Sequence, residues 1–134
     1  MSVTPLYERV AEDECWRLVG ARGAGRIAFA GDTALRVVPT RYDVDHATAY
    51  VRATTFGELA RSVHGRGTTL QVDDVDPLTL TGWSVQLSGV AHRVEDAATV
   101  AFLWSLERPA PWSPGPTTQW LALAVDTIEG QRVS

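Results

Sequence analysis

The sequence predicts an α+β domain dominated by antiparallel sheet and closed into a small β-barrel. Three observations predict it. Six or so short segments alternate or cluster apolar residues as strands do, and only three short stretches show helical spacing. Strand and helix do not alternate as in a doubly wound sheet. The 134 residues fit a single domain, 1–134, and a sheet of that many strands in so short a chain removes its edges by closing.

The elements follow in order. Helical spacing runs from Glu12 to Ala21, with Cys15, Leu18 and Val19 on one face, and Gly20 and Gly23 end it. Gly25 to Gly31 reads as the first strand, through Arg26-Ile27-Ala28-Phe29. Ala34 to Tyr42 is the second, with Pro39 marking an edge, a bulge or a break in pairing. A turn is expected around Asp43-Val44-Asp45, and His46 to Ala53 is the third strand. A short helix is expected from Thr55 to about Val63, closed by Gly65-Arg66-Gly67. Thr68 to Val72 is a strand running into an acidic turn, Asp73-Asp74-Val75-Asp76-Pro77. Thr81 to Val94 alternates as one long strand, with Trp83, Val85 and Leu87 on one face. Asp96 is an N-cap for a helix from Ala97 to about Leu106. Four of the seven prolines fall between Pro109 and Pro116, which makes an extended loop, and Thr118 to Thr127 is the last strand.

Composition narrows the function classes. Hydrophobic residues make up 45% and charged residues 21%, as in a globular chain. The longest apolar run, Trp120 to Val125, is far short of the ~20 residues that span a bilayer, so a cytoplasmic protein is expected. A net charge of −4 gives no electrostatic reason to meet nucleic acid or an anionic membrane. Cys15 stands alone, which excludes an intrachain disulfide and a cysteine zinc site. All 12 basic residues are Arg, so an anion held by side-chain charge is held by a guanidinium, although a high-GC genome alone produces that bias.

Several local patterns fail on context. Gly20-Ala21-Arg22-Gly23-Ala24-Gly25 follows a helix and precedes a strand, the reverse of a phosphate loop. Asp73, Asp74 and Asp76 lack the glycine and terminal Glu of a calcium loop. His46, His64 and His92 have no metal-ligand spacing, no nucleophile elbow accompanies them, and no metal is expected. Trp104, Trp112 and Trp120 read as core, loop anchor and barrel wall.

Segments in order along nearly the whole chain carry a resemblance. They are Glu14-Cys15-Trp16-Arg17-Leu18, Gly23-Ala24-Gly25-Arg26-Ile27-Ala28-Phe29 and Val51-Arg52-Ala53-Thr54. Val72-Asp73-Asp74-Val75-Asp76-Pro77 follows, with Thr81-Gly82-Trp83-Ser84-Val85 and Gly89, and this is the most specific part. Pro111-Trp112-Ser113-Pro114-Gly115, Trp120 and Gly130-Gln131-Arg132 complete it. Together they resemble the actinobacterial relatives of pyridoxamine 5′-phosphate oxidase, the FMN-binding split-barrel family.

The resemblance implies a split-barrel homodimer with two FMN sites at the subunit interface, and a flavoprotein oxidoreductase acting on a small organic substrate. It places Val38 and Pro39 along the isoalloxazine ring, Arg52, Thr54 and Thr55 at the phosphate, and Trp83 and Ser84 in the cofactor neighbourhood. An Arg fork, hydroxyl donors and a helix start suit a phosphate of about −1.5 to −2 charge. The flavin carries the redox chemistry, so no general acid or base is assigned.

The chain departs from the family at Glu58, where relatives carry a Lys that pairs with the phosphate. One like-charge contact at about 4 Å costs ~4 kcal/mol at an effective dielectric near 20. Thr55-x-x-Glu58 also has the form of a capping box. Arg41 falls where relatives carry a smaller polar residue, and either restores positive charge or obstructs the ring. The departure leaves two alternatives open: a deazaflavin or haem in the same fold, or a non-catalytic dimeric binding module that has lost its flavin site. True pyridoxamine phosphate oxidation needs a second basic cluster, which the sequence does not locate.

Overall fold

A computed structural model of the chain describes residues 6–54, 57–106 and 118–134. In chain order the elements are β1 (Tyr7–Val10), α1 (Glu12–Gly20), β2 (Ala24–Ala30), β3 (Leu35–Asp45) and β4 (Thr48–Thr54). They continue as α2 (Glu58–Val63), β5 (Arg66–Val75), β6 (Gly82–Arg93), α3 (Ala97–Ser105) and β7 (Thr118–Val133). Among the described residues the seven strands pair antiparallel, in the order β1-β7-β4-β3-β2-β5-β6, and β6 also pairs with β7. That last pairing closes six strands into a barrel, and β1 adds a seventh beside the end of β7. The expected class, α+β with a small split barrel, is the one observed.

Alternation builds the wall. Ile27, Val51, Leu70, Val72, Val85, Leu87, Leu121 and Leu123 are all buried, and between them stand residues facing outward. Each such side chain contributes roughly 1.5–3 kcal/mol on burial. Helix α1 adds Cys15, Leu18 and Val19 to the same core, and α2 adds Ala60 and Val63. The Tyr42 hydroxyl donates to the Val19 carbonyl, tying β3 to the end of α1.

Several boundaries move from their sequence expectations, each for a physical reason. The segment Asp43-Val44-Asp45 is strand, not turn: Asp43 pairs with Tyr50 and Asp45 with Thr48. The turn falls on His46 and Ala47, both at positive φ, 47° and 58°. This is the backbone of a two-residue hairpin loop, but without the Asn-Gly signature that announces one. Asp73, Asp74 and Val75 likewise extend β5, opposite Ser84, Trp83 and Gly82. Arg26 and Arg22 lie 3.5 and 3.7 Å from Asp73 and Asp74, so neighbouring cations offset the poor strand preference of Asp.

β7 continues past Thr127 to Val133 because a bulge hides its second half. Ser88 pairs with Thr127 and Gly89 with Val125, leaving Asp126 unmatched. Buried positions shift from Leu121 and Leu123 to Gly130, so the period-two pattern changes phase. A Cβ on Gly89 would collide with the Ala124 carbonyl oxygen, so only glycine permits this approach.

At α2, Glu58 is the first helical residue and Gly57 the N-cap, with no side-chain cap bond. A capping box needs its acid two positions further in, so Glu58 does not complete one; Thr55 lies outside the described residues. The Asp96 cap of α3 is as expected: its carboxylate accepts from the Thr99 backbone at 2.8 Å and the Thr99 hydroxyl at 2.7 Å. Those bonds hold the Asp96 carboxyl below the usual aspartate range.

Candidate functional site

The expected site residues fall on three stretches of the barrel. Arg52 lies on β4, whose inward residues Val51 and Ala53 are buried, so Arg52 faces outward. Thr54 is the last residue of β4, and Thr55 lies outside the described residues. Across the ladder, Arg52 pairs with Trp120 of β7, and helix α3 covers this part of the outer wall through Leu103 and Trp104. The Arg52 guanidinium stands 4.8 Å from the Trp104 ring centre and 5.2 Å from that of Trp120. The two indoles meet edge to face, 5.7 Å apart at 82°. Trp120 is buried at 4% exposure, as a wall residue should be, whereas Trp104 is 48% exposed and is not core. Trp112 lies outside the described residues.

Val38 and Pro39 lie on β3, opposite Ile27 and Arg26 of β2. Val38 turns inward and packs against the core. Pro39 turns outward in a row with Leu35, Val37 and Arg41; Leu35 and Val37 are 83% and 62% exposed. β3 changes partner along its length: Leu35–Arg41 pairs with β2, and Tyr42–Asp45 with β4. The β3–β4 ladder therefore stops at Tyr42 and Val51, one residue short of Arg41 and Arg52. Pro39, which has no N–H to give, sits where the two strands have parted.

Trp83 and Ser84 lie elsewhere. They pair with Arg132 and Gln131 near the end of β7, whereas Arg52 pairs with Trp120 near its start. Trp83 packs partly against the core. The Ser84 hydroxyl accepts from the Gln71 side chain at 3.2 Å and lines a recess of about 140 Å³ with Gln86, Glu129 and Gln131. Within one chain, then, Pro39 and Arg52 face outward on either side of the point where β3 and β4 part, Val38 turns into the core, and Trp83 with Ser84 lie toward the other end of β7.

Glu58 does not stand as an isolated negative charge. Its carboxylate lies 3.0 Å from the Arg36 Nε, and Arg61 of the same helix pairs with Asp32. Two ion pairs thus tie α2 to the β2–β3 turn at Asp32 and to the start of β3 at Arg36. Arg36 gives the Glu58 carboxylate a counter-charge.

One cluster had no signal in the sequence. His64 and His92 meet edge to face with ring centres 5.4 Å apart. His64 ends α2, and its Nδ1 accepts the Arg93 backbone N–H at 3.0 Å, which puts the ring proton on Nε2. A ligating histidine keeps a proton on its other nitrogen to donate, so this geometry disfavours a metal. Among the described residues no group of three His, Cys, Asp or Glu side chains could hold one. No helix among the described residues is long and apolar enough to cross a membrane.

Comparisons with known proteins bear on this geometry. The pyridoxamine 5′-phosphate oxidase family profile matches residues 11–132. An uncharacterized protein of Mycobacterium tuberculosis is 27% identical over 121 residues, 87% of this chain and 73% of its own length. The FAD binding protein from Mycobacterium smegmatis superposes with a TM-score of 0.73 at 27% identity, over 92% of this chain and 95% of that one. An FAD-binding protein from Mesorhizobium loti shares the fold, with a TM-score of 0.76 at 20% identity over 96% and 99% of the two chains. The FAD and heme binding protein from Mycobacterium smegmatis shares it too, with a TM-score of 0.73 at 16% identity over 92% and 72%. The barrel is thus one that flavin-binding proteins use. A profile match over nearly the full length, on a closed barrel whose third and fourth strands part beside an outward Arg, places this chain in the pyridoxamine 5′-phosphate oxidase family.

Proposed function

We propose that this protein is a flavoprotein that binds FMN between two copies of the chain and serves as an oxidoreductase for a small organic substrate. The observation that carries the reading is the position of Arg52. It faces outward one residue past the last β3–β4 pair, and beyond that point β3 carries Leu35, Val37 and Pro39 on its outer face. A flat isoalloxazine ring suits such a row, and a phosphate suits the guanidinium together with the Thr54 and Thr55 hydroxyls that the family resemblance assigns to it. Arg36, by pairing with Glu58, limits the repulsion that the helix start would exert on the anion. The bound flavin would supply the redox chemistry, while the chain orients the ring and balances its charge.

Trp83 and Ser84 belong to this reading only in a dimer. They lie at the far end of β7 from Arg52, so a flavin meeting both sets takes them from two chains. The exposed Leu35 and Val37 support burial against a second copy.

A visible absorption spectrum of the purified protein, before and after FMN, tests the proposal. A yellow protein whose FMN is lost about tenfold or more readily in Arg52→Ala is the expected result. Unchanged affinity in that variant sinks the phosphate assignment. A colourless protein that ignores flavins but takes up a deazaflavin or haemin supports the alternative ligands, and one that ignores all of them supports a non-catalytic dimeric module. FAD is a second reading, favoured by the 27% identical FAD binding protein of Mycobacterium smegmatis, and parallel FMN and FAD titrations separate the two.

A further inference from the structure

We propose that His64, Arg66, His92 and Arg93 form a binding site for a compact divalent oxyanion, the chemistry shared by inorganic phosphate and a phosphomonoester. Nothing in the sequence spacing unites these four residues. They come from the end of α2, the start of β5 and the end of β6. β7 runs between β6 and β4, so the site stands apart from Arg52 and is independent of the flavin reading.

One small residue organises the cluster. Ala91 is buried, and residues 64–66 fold around it. His64 bridges to Ala91, the Gly65 N–H donates to the Ala91 carbonyl at 2.7 Å, and Arg66 is its ladder partner. Gly65 takes a φ of 73°, which lets the chain turn this sharply. His92 and Arg93 follow Ala91 directly. Arg66 and Arg93 are diagonal neighbours on the ladder, a relation that sets such positions roughly 7–8 Å apart, within reach of long side chains. All four residues are exposed. His64 is fixed by its Nδ1, which accepts the Arg93 backbone N–H at 3.0 Å and leaves Nε2 as a donor. Its ring crosses that of His92 at 85°, with centres 5.4 Å apart.

The charges around the cluster point to an anion. The chain carries 16 acidic residues against 12 basic ones, so counter-ions are not scarce. Arg17, Arg22, Arg26, Arg36, Arg61 and Arg132 each lie within 3.7 Å of a carboxylate. Among the described residues no carboxylate forms such a pair with Arg66, Arg93, His64 or His92, although Glu95 is only two positions beyond Arg93. Neighbouring guanidiniums without a counter-ion repel one another, and a divalent anion between them replaces repulsion by attraction. The arginine forks and imidazole N–H groups supply donors to the several oxygens of a tetrahedral anion. Size is limited as well. Glu95 and Asp96 follow at once and the whole chain carries −4, which repels an extended polyanion.

Histidine ring signals in proton NMR test the site at constant pH and ionic strength, with inorganic phosphate and phenyl phosphate as probes. His64→Gln and His92→Gln assign the two signals. His46, held beside Asp45 next to the β3–β4 turn, is the control. Phosphate is expected to shift the His64 and His92 signals to saturation and to leave that of His46 in place. Equal shifts with phenyl phosphate make a monoester's terminal group sufficient, and shifts with phosphate alone identify the free anion as the ligand. Arg66→Gln combined with Arg93→Gln should weaken phosphate binding about tenfold or more and leave FMN affinity unchanged. Shifts that never saturate, or that potassium chloride reproduces, overturn the site. So does a double variant that binds phosphate as the wild type does. If that variant loses FMN and phosphate in step, the cluster belongs to the flavin site and the separate site falls. The phosphate readout decides the matter whether or not the protein binds FMN.

Discussion

At the scale of single residues, environment decides what a side chain does. Glu58 had the spacing of a capping box, but it starts α2 and turns its carboxylate to Arg36. Only the folded β2–β3 turn brings that arginine within reach. Tyr42 makes a titration prediction. Burial raises its hydroxyl above the ordinary tyrosine value of 10.0, and burial likewise raises the Cys15 thiol above 9.0. For both groups the folded chain holds its proton more tightly than the unfolded chain. Stability is therefore full below the ordinary values and declines as pH rises from about 9 through the folded values. Thermal melts between pH 7 and 11 should show this decline. Tyr42→Phe should be less stable at pH 7, having lost the bond to the Val19 carbonyl, but less steep above pH 10. An identical alkaline slope in the variant would show that Tyr42 does not drive the loss.

At the scale of elements, turn chemistry and bulges account for the displaced boundaries. The β3–β4 hairpin turns on His46 and Ala47 at positive φ, which a Cβ disfavours. Replacing the pair by Asn-Gly supplies the residues this turn type prefers. That variant should stabilise the protein by about 0.5–1.5 kcal/mol in urea unfolding with an unchanged m-value. A destabilised variant would mean that the turn is not of this type. The phase change after Asp126 is a related lesson. Alternation reads one strand only while its register is constant, and the bulge opposite Ser88 and Gly89 resets it. The first strand, β1, escaped notice because four residues, only Val10 of them buried, carry too little alternation to be seen without β7 beside them.

At the scale of the whole molecule, the question is which chain supplies which half of the site. If each flavin takes Arg52 from one chain and Trp83 from its partner, Arg52→Ala and Trp83→Ala chains should complement one another. A mixed dimer carries one doubly altered site and one intact site. After unfolding and refolding an equal mixture, about a quarter of all sites should bind FMN with wild-type affinity, counting random pairing. Sedimentation of the wild-type protein should show a dimer. A mixture that binds no better than its components would place both residues in one site of one chain, or remove one of them from the site.

Much of this protein was determined along the chain. Buried alternation, the helical stripe of Cys15, Leu18 and Val19, the Asp96 cap and the order of elements are local properties, so the barrel class and the family were legible in the residues themselves. Charge was legible in amount but not in arrangement. Which guanidinium faces an indole and which a carboxylate depends on strand register and helix docking, where contacts join residues far apart in sequence. Arg52 with Trp104, Glu58 with Arg36, and His64 with His92 are all such meetings. The same barrel closure set Arg52 and Trp83 at opposite ends of one long strand, because an antiparallel ladder fixes position along β7 by pairing and not by spacing in the sequence.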